Sequence, residues 1–236
     1  MADLIAIVGG SGSGKSSSVR NLDSKQTFIV NVAGKDLPLK GAKKKYTSFV
    51  VDKEKGNQID TAKVENIENV LKFISLKRPD IKNVIIDDAQ YLMSFEAMDR
   101  AKEKNFDKHV DIASNYYKVL KEARNLRSDM KVFVMTHADE TKDNFGNVVS
   151  SKIKTLGAML DKYITIEGLF TYVLFTQKLV SENEEGKVET RYTFMTNDPT
   201  NVTTAKSPMD CFVDQYIDND LSLVVDRIDA YNDSDE

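Results

Sequence analysis

The chain has 236 residues, 41% hydrophobic and 30% charged, with a formal net charge of −4 at pH 7. That is enough apolar material for a single sizeable domain, and the acidic balance excludes a polybasic coat protein while leaving room for a local basic patch. No apolar run approaches bilayer length, MADLIAIVGG lacks the basic segment and apolar length of a secretory signal, and the lone Cys211 forbids an internal disulfide, so a cytoplasmic protein is expected.

The first element is LIAIV (4–8), an apolar run of the kind a buried parallel strand needs. GGSGSGKSS follows at 9–17, and Gly9, Gly14, Lys15 and Ser16 fit the pattern G-x-x-x-x-G-K-[ST]. The pattern carries a mechanism. Glycines let the backbone curl so that its N–H groups line a concavity, where a side chain would block a phosphate. Gly9, Gly10, Ser11, Gly12, Ser13, Gly14, Lys15, Ser16 and Ser17 form this predicted cradle. Lys15 is expected to reach the β- and γ-phosphates and Ser16 to offer its hydroxyl to Mg²⁺. A helix beginning near Ser16 is expected to add its positive end.

TFIVNV (27–32) is the second predicted strand. GKDLPLKGAKKK (34–45) reads as a loop, and Lys40, Lys43, Lys44 and Lys45 beside Tyr46 form the densest basic cluster. YTSFVV (46–51) predicts a further strand or an extended arm. Val64, Ile67, Val70, Leu71 and Ile74 recur at helical spacing and stop near Arg78-Pro79. NVIIDD (83–88) is a strand ending in two acids. Open α/β sheets bind ligands at the C-terminal ends of their strands. Asp87 is therefore placed to hold Mg²⁺, and Asp88 to orient or deprotonate an attacking water.

The stretch to about 128 is largely helical, with Ile112, Tyr116, Val119, Leu120 and Ala123 on one stripe. KVFVMTH (131–137) is the next strand. If it neighbours the strand ending at Asp87, Thr136 and His137 come near a terminal phosphate and sense its presence. His109 and His137 are far apart and lack cysteine partners, so no zinc site is expected.

After Gly157 the character changes. TYVLFTQKLV (171–180) and ETRYTFMT (189–196) flank the polar SENEEGKV and predict an antiparallel hairpin. Met209, Phe212, Val213, Tyr216 and Ile217 recur at helical spacing, and Leu221, Val224, Val225 and Ile228 make a last helix. Residues 209–230 thus read as C-terminal helices and 231–236 as an acidic, frayed tail. Alternating strands and helices give an α/β fold over 1–236, a single domain. Its central sheet is mostly parallel and flanked by helices, with the antiparallel hairpin towards the C-terminus.

Together, GGSGSGKSS, NVIIDD, the His-terminated strand, the hairpin and TTAKSP (203–208) resemble the phage-encoded nucleotide-binding ATPases built on a RecA-like core, over nearly the whole chain. The resemblance implies a RecA-like P-loop NTPase with Mg²⁺-dependent ATP binding and hydrolysis, in a host cytoplasm. Lys15, Ser16 and Asp87 take its phosphate and Mg²⁺ roles. It also implies a homo-oligomer, ring or filament, with ATP at the subunit seams. Some relatives of that group anneal or pair single-stranded DNA in recombination. ADETKDNFGNVVSSKIKT (138–155) falls where RecA-like proteins carry a mobile DNA-binding loop, with LGAMLDKY (156–163) in place of the helix that follows. Lys142, Phe145, Lys152 and Lys154 there offer phosphate contacts and a stacking face, and the 40–46 cluster is the alternative patch.

A seam site takes a basic residue from the neighbouring subunit. That role falls to Lys206, with Arg191 as its substitute. One departure stands out. RecA places its catalytic glutamate just beyond the second core strand, where this chain has Ala33, Gly34, Lys35 and Asp36. The water-activating acid is then Asp88 or Asp36, or hydrolysis is slow. Two other functions stay open: a small-molecule kinase using Arg100, Arg124 and Arg127, and a nucleotide-gated assembly protein that hydrolyses slowly.

Overall fold

The computed structural model describes residues 1–50, 54–105, 107–156, 160, 163–182 and 186–234. The apolar runs become strands β1 (Asp3–Val8), β2 (Thr27–Asn31), β4 (Asn83–Asp87) and β5 (Lys131–Thr136), and a short strand the sequence did not announce, β3 (Gln58–Asp60), precedes β4. Further along come β6 (Ala138–Lys142), β7 (Val148–Ile153), β8 (Tyr172–Glu182), β9 (Val188–Met195) and β10 (Tyr216–Asp218). The helices are α1 (Ala42–Lys45), α2 (Val64–Lys77), α3 (Tyr91–Asp99), α4 (Asp107–Arg124) and α5 (Leu221–Asn232).

Eight strands form one sheet in the order β10-β9-β8-β1-β5-β4-β2-β3. From β3 to β8 every neighbouring pair is parallel. Beyond β8, β9 and β10 add an antiparallel edge. The fold is thus mixed α/β, with a largely parallel core sheet flanked by helices and a C-terminal antiparallel edge.

Strand periodicity sends alternate residues to opposite faces. Leu4, Ala6, Val8, Val84, Ile86, Val132 and Val134 meet Ile67, Leu71 and Ile74 of α2 and Ile112, Tyr116 and Leu120 of α4 on one face. Ile5, Ile7, Ile85, Phe133 and Met135 meet Val19, Leu22 and the α5 residues Leu221, Val224 and Ile228 on the other. With helices on both faces, β4 and β5 are buried along their whole length, which is why the middle of each, residues 84–86 and 132–135, is an unbroken apolar run. No helix among the described residues is long and apolar enough to cross a membrane.

Three expectations need correction. The helix after the glycine loop is only a six-residue 3₁₀ helix, η1 (Ser16–Asn21). Three successive serines favour helix poorly, and the Ser18 hydroxyl donates to the Lys15 carbonyl at 2.5 Å, competing with the helical backbone. Residues 209–217 are not a helix. Met209 and Val213 are each 83% exposed, Asp210 has φ +63°, and Tyr216–Asp218 pairs antiparallel with β9 as β10. An open strand edge wins over the helical spacing. The segment at 138–155 is not an open loop but the antiparallel pair β6–β7, turned at Gly146 with φ +87°. Asp143 accepts from the Phe145 and Asn147 backbone N–H groups and fixes that turn. Of the two forms open to this stretch, strand or extended arm, residues 46–50 take the arm: Ser48 bridges Gln58, Val50 bridges Lys55, and Phe49 packs on Phe28 and Phe73.

Some expectations fall on residues outside those described: Val51 of the arm, Gly157 to Met159 with Asp161 and Lys162 of LGAMLDKY, Asn183 to Glu185 of the hairpin turn, and Asp235 and Glu236 of the tail.

Candidate functional site

Parallel registry brings three strand ends to one edge of the sheet. Val8 pairs with Thr136 and Asn31 with Asp87, while β5 lies directly between β1 and β4. The glycine loop after β1, the acid pair at the end of β4 and His137 after β5 therefore converge. A cavity of about 550 Å³ opens there, lined by Ser11, Gly12, Gly14, Lys15, Ser16, Ser17, Lys35, Asp88 and His137. Arg20 and the C-terminal edge residues Arg191, Tyr192 and Asn219 also line it.

The loop is built by close approach. A Cβ on Gly9 would sit 1.8 Å from the Thr176 hydroxyl of β8, so only glycine fits. That hydroxyl lies 2.6 Å from Ser13 Oγ, which in turn donates to the Gly10 carbonyl at 2.7 Å. Gly14 has φ +99°, and a Cβ there would meet Asn219 Oδ1 at 3.1 Å and Tyr192 Cδ1 at 3.2 Å. The last third of the chain thus closes on the first fifteen residues.

Lys15 is 6% exposed, and its ammonium donates to the Gly9 and Gly10 carbonyls, both at 2.8 Å. Burial pulls its pKa down to about 8, against the opposing charges of Asp88 and Asp87. Ser16 Oγ donates to Asp87 Oδ1 at 3.0 Å. The other carboxylate oxygen, Asp87 Oδ2, is buried with no hydrogen-bond partner among the described residues. Burial first, and then the neighbouring Asp88, push the Asp87 pKa up. An orphaned buried oxygen beside a serine hydroxyl is a hard-donor pair suited to Mg²⁺, which takes one or two protein ligands and fills its octahedron with phosphate oxygens and water. No group of three or more His, Cys, Asp or Glu that could cage a metal occurs among the described residues, and such an ion needs none.

Asp88 is 3% exposed and has φ +57°, a left-handed conformation that a non-glycine residue adopts at a cost. It forms an ion pair with Lys35 and lies 3.7 Å from His137 Nε2. Burial works against the Lys35 ammonium, but the hydrogen bond and charge of Asp88 hold its pKa above the ordinary value. Burial and then the charge of Lys15 lower the His137 pKa, which favours the neutral imidazole. The His137 backbone N–H donates to Gln90 Oε1 at 3.2 Å. Thr136 is fully buried and does not line the cavity.

Other expected residues lie elsewhere. Asp36 is 81% exposed, pairs with Lys43 at 3.0 Å and stays outside the cavity lining. Lys206 exchanges both backbone hydrogen bonds with Val173 and is not part of its own chain's cavity. Arg191 does line that cavity and pairs with Asp218 at 2.6 Å. Arg100, Arg124 and Arg127 do not line it. Arg100 is held by Glu96, Glu103 and Asp111, and Arg127 by the carbonyls of Ile74 and Arg78. Lys40 and Lys43 to Lys45 lie around α1, where Lys44 and Lys45 join Lys25 and Arg78 around a separate cavity.

On the β6–β7 pair, Phe145 stands 91% exposed at the turn, with Lys142 and Lys152 on the strands. Lys154 just follows β7, and its backbone N–H donates to the His137 carbonyl at 2.8 Å. The hairpin is therefore tied at both ends to His137, which lines the cavity.

Sequence reasoning gave no role to Lys35, Arg20, Tyr192 or Asn219. Lys35 did carry a signal: it stands just beyond β2, where an acid was expected, and it supplies the opposite charge. Compared with known proteins, the chain matches no protein-family model and none of the curated proteins.

Proposed function

We propose that this chain is a Mg²⁺-dependent ATPase of the RecA-like P-loop kind, with hydrolysis coupled to binding of single-stranded DNA. The observation that carries this proposal is the 3.0 Å hydrogen bond from Ser16 to Asp87, formed across 71 positions of sequence. It sets the hydroxyl that ends the glycine pattern against the acid that ends β4, with Lys15 beside them. Lys15 would leave the Gly9 and Gly10 carbonyls to contact the β- and γ-phosphates, and the loop's N–H groups would take the remaining phosphate oxygens. Ser16 and Asp87 would hold Mg²⁺, which when bound neutralises charge on the phosphate oxygens.

In hydrolysis a water oxygen bonds to the terminal phosphorus while the bond to the bridging oxygen breaks, its electrons leaving with the diphosphate. Asp88 accepts the water's proton and passes it to the released phosphate. His137 stands beside Asp88 and immediately precedes the β6–β7 pair, which supports a link from the cavity to Lys142, Phe145, Lys152 and Lys154. Those side chains offer the cations and stacking face that single strands need.

Titration calorimetry with Mg²⁺ and ATP tests the nucleotide site. Lys15→Ala should weaken binding by about tenfold to a hundredfold, the loss of hydrogen bonds from a charged donor. Wild-type affinity in that variant would defeat the assignment. For the DNA arm, neutralising Lys152 and Lys154 should flatten the salt dependence of oligonucleotide affinity by about one unit of slope per lost phosphate contact. An unchanged slope would move the DNA surface to the 40–46 cluster.

A further inference from the structure

Lys35 is the residue at this site whose chemistry the glycine pattern and the acid pair leave unused. Its backbone is fixed. The Lys35 carbonyl accepts from Asn31 Nδ2 at 2.9 Å, and the same amide nitrogen donates to Asp60 Oδ1 at 2.9 Å. Asn31 is the last residue of β2 and pairs in register with Asp87. The Lys35 side chain, by contrast, is half exposed and lines the cavity alongside Lys15, Ser16 and Asp88. A four-carbon stem on an anchored base thus carries its ammonium between a buried carboxylate and open cavity.

Asp88 is equally constrained on its side. The Ala89 N–H donates to the Met135 carbonyl at 2.8 Å and the Tyr91 N–H to the Asp88 carbonyl at 3.0 Å, which locks the left-handed turn. The carboxylate cannot follow the lysine. Any exchange of partners must be made by the ammonium.

We propose that Lys35 distinguishes a nucleoside triphosphate from a diphosphate. With no terminal phosphate in the cavity its ammonium rests on Asp88, and with one present it turns to that phosphate. This inference rests on the cavity being a phosphate site. A terminal phosphate carries more charge than one carboxylate and offers three acceptor oxygens to an ammonium with three rotatable donors. Once the ammonium has left, the buried Asp88 carboxylate has lost its cationic partner. It then becomes the stronger acceptor for the O–H of an attacking water. Lys35 is thus a specificity-determining contact for the terminal phosphate and a positioning residue for Asp88.

The test is calorimetry on the full chain with Mg²⁺, comparing ADP with a non-hydrolysable ATP analogue. Lys35→Ala should lose about tenfold in affinity for the analogue while its ADP affinity stays the same, and Lys35→Arg should recover part of the loss. Asp88→Asn releases the ammonium, so it should bind the analogue more tightly than wild type. That gain should vanish in the Lys35→Ala background, a coupling that a merely structural lysine would not produce. Equal losses for both nucleotides, or no loss for either, would overturn the inference while leaving the phosphate site standing. If the wild-type chain binds neither nucleotide, the cavity is not a phosphate site and the role of Lys35 falls with it.

Discussion

Gly9 shows how little freedom a single position at this site has. Its missing Cβ is what lets the Thr176 hydroxyl reach across from β8. Gly9→Ala should lower the unfolding free energy by about 1–3 kcal/mol, the usual cost of overpacking, read from urea denaturation midpoints. Adding Thr176→Ala should recover part of that loss, because it removes the atom 1.8 Å away. A full loss persisting in the double variant would place the strain in the loop backbone instead. The glycine loop, Lys15 and Ser16 were legible as candidates because their spacing is local, and Asp87 because it ends an apolar run. Lys35 was not, because its contact with Asp88 depends on β2 lying beside β4, and nothing within residues 33–36 encodes a strand order. Asn219 was hidden for a similar reason: it is buried against Gly14, more than two hundred positions away.

Elements were read well where one signal dominated and badly where two competed. Both faces of the parallel sheet, and α2, α4 and α5, follow from apolar periodicity alone. Residues 209–217 carry helical spacing as well, but Tyr216–Asp218 finds the unpaired edge of β9, and tertiary pairing overrides local pattern. The connection that precedes this strand is held by Asp198. Its carboxylate accepts from the Thr200 and Thr203 backbone N–H groups at 2.8 Å and 2.6 Å. Partial burial works to raise its pKa, yet these bonds hold it down at about 2. The folded value lies below the ordinary 3.8, so the stabilisation is complete above that pH and is lost as pH falls through about 2. Asp198→Ala should therefore cost about 1 kcal/mol at pH 7, after allowance for solvent screening, and progressively less in acid. Denaturation series at pH 7 and pH 3 measure the difference. A cost that stays constant with pH would show that the ionised carboxylate is not what holds this turn.

At the scale of the whole molecule, the two cations considered for completing the cavity separate cleanly. Arg191 lines the cavity of its own chain, whereas Lys206 is hydrogen-bonded through its backbone to Val173 and lies outside that lining. A catalytic role for Lys206 therefore requires a neighbouring subunit. Lys206→Ala mixed with Lys15→Ala should regain ATPase activity, because some seams would pair an intact loop with an intact lysine. Arg191→Ala mixed with Lys15→Ala should regain none. Recovery only in the second mixture, in subunits shown to co-assemble, would reverse the assignment. The position of β1 has a consequence of another kind. It lies inside the sheet, and its flanks are taken by residues far along the chain, Ile5 pairing with both Phe133 and Tyr172. Such distant parallel partners must be found before their contacts repay the entropy of closing the loops between them, which makes folding slow. Until β8 arrives, β1 presents an apolar edge open to any stray strand, and Gly9 has no Thr176 to pack against. The glycine loop near the start of the chain can take its final shape only when residues beyond 170 have come home.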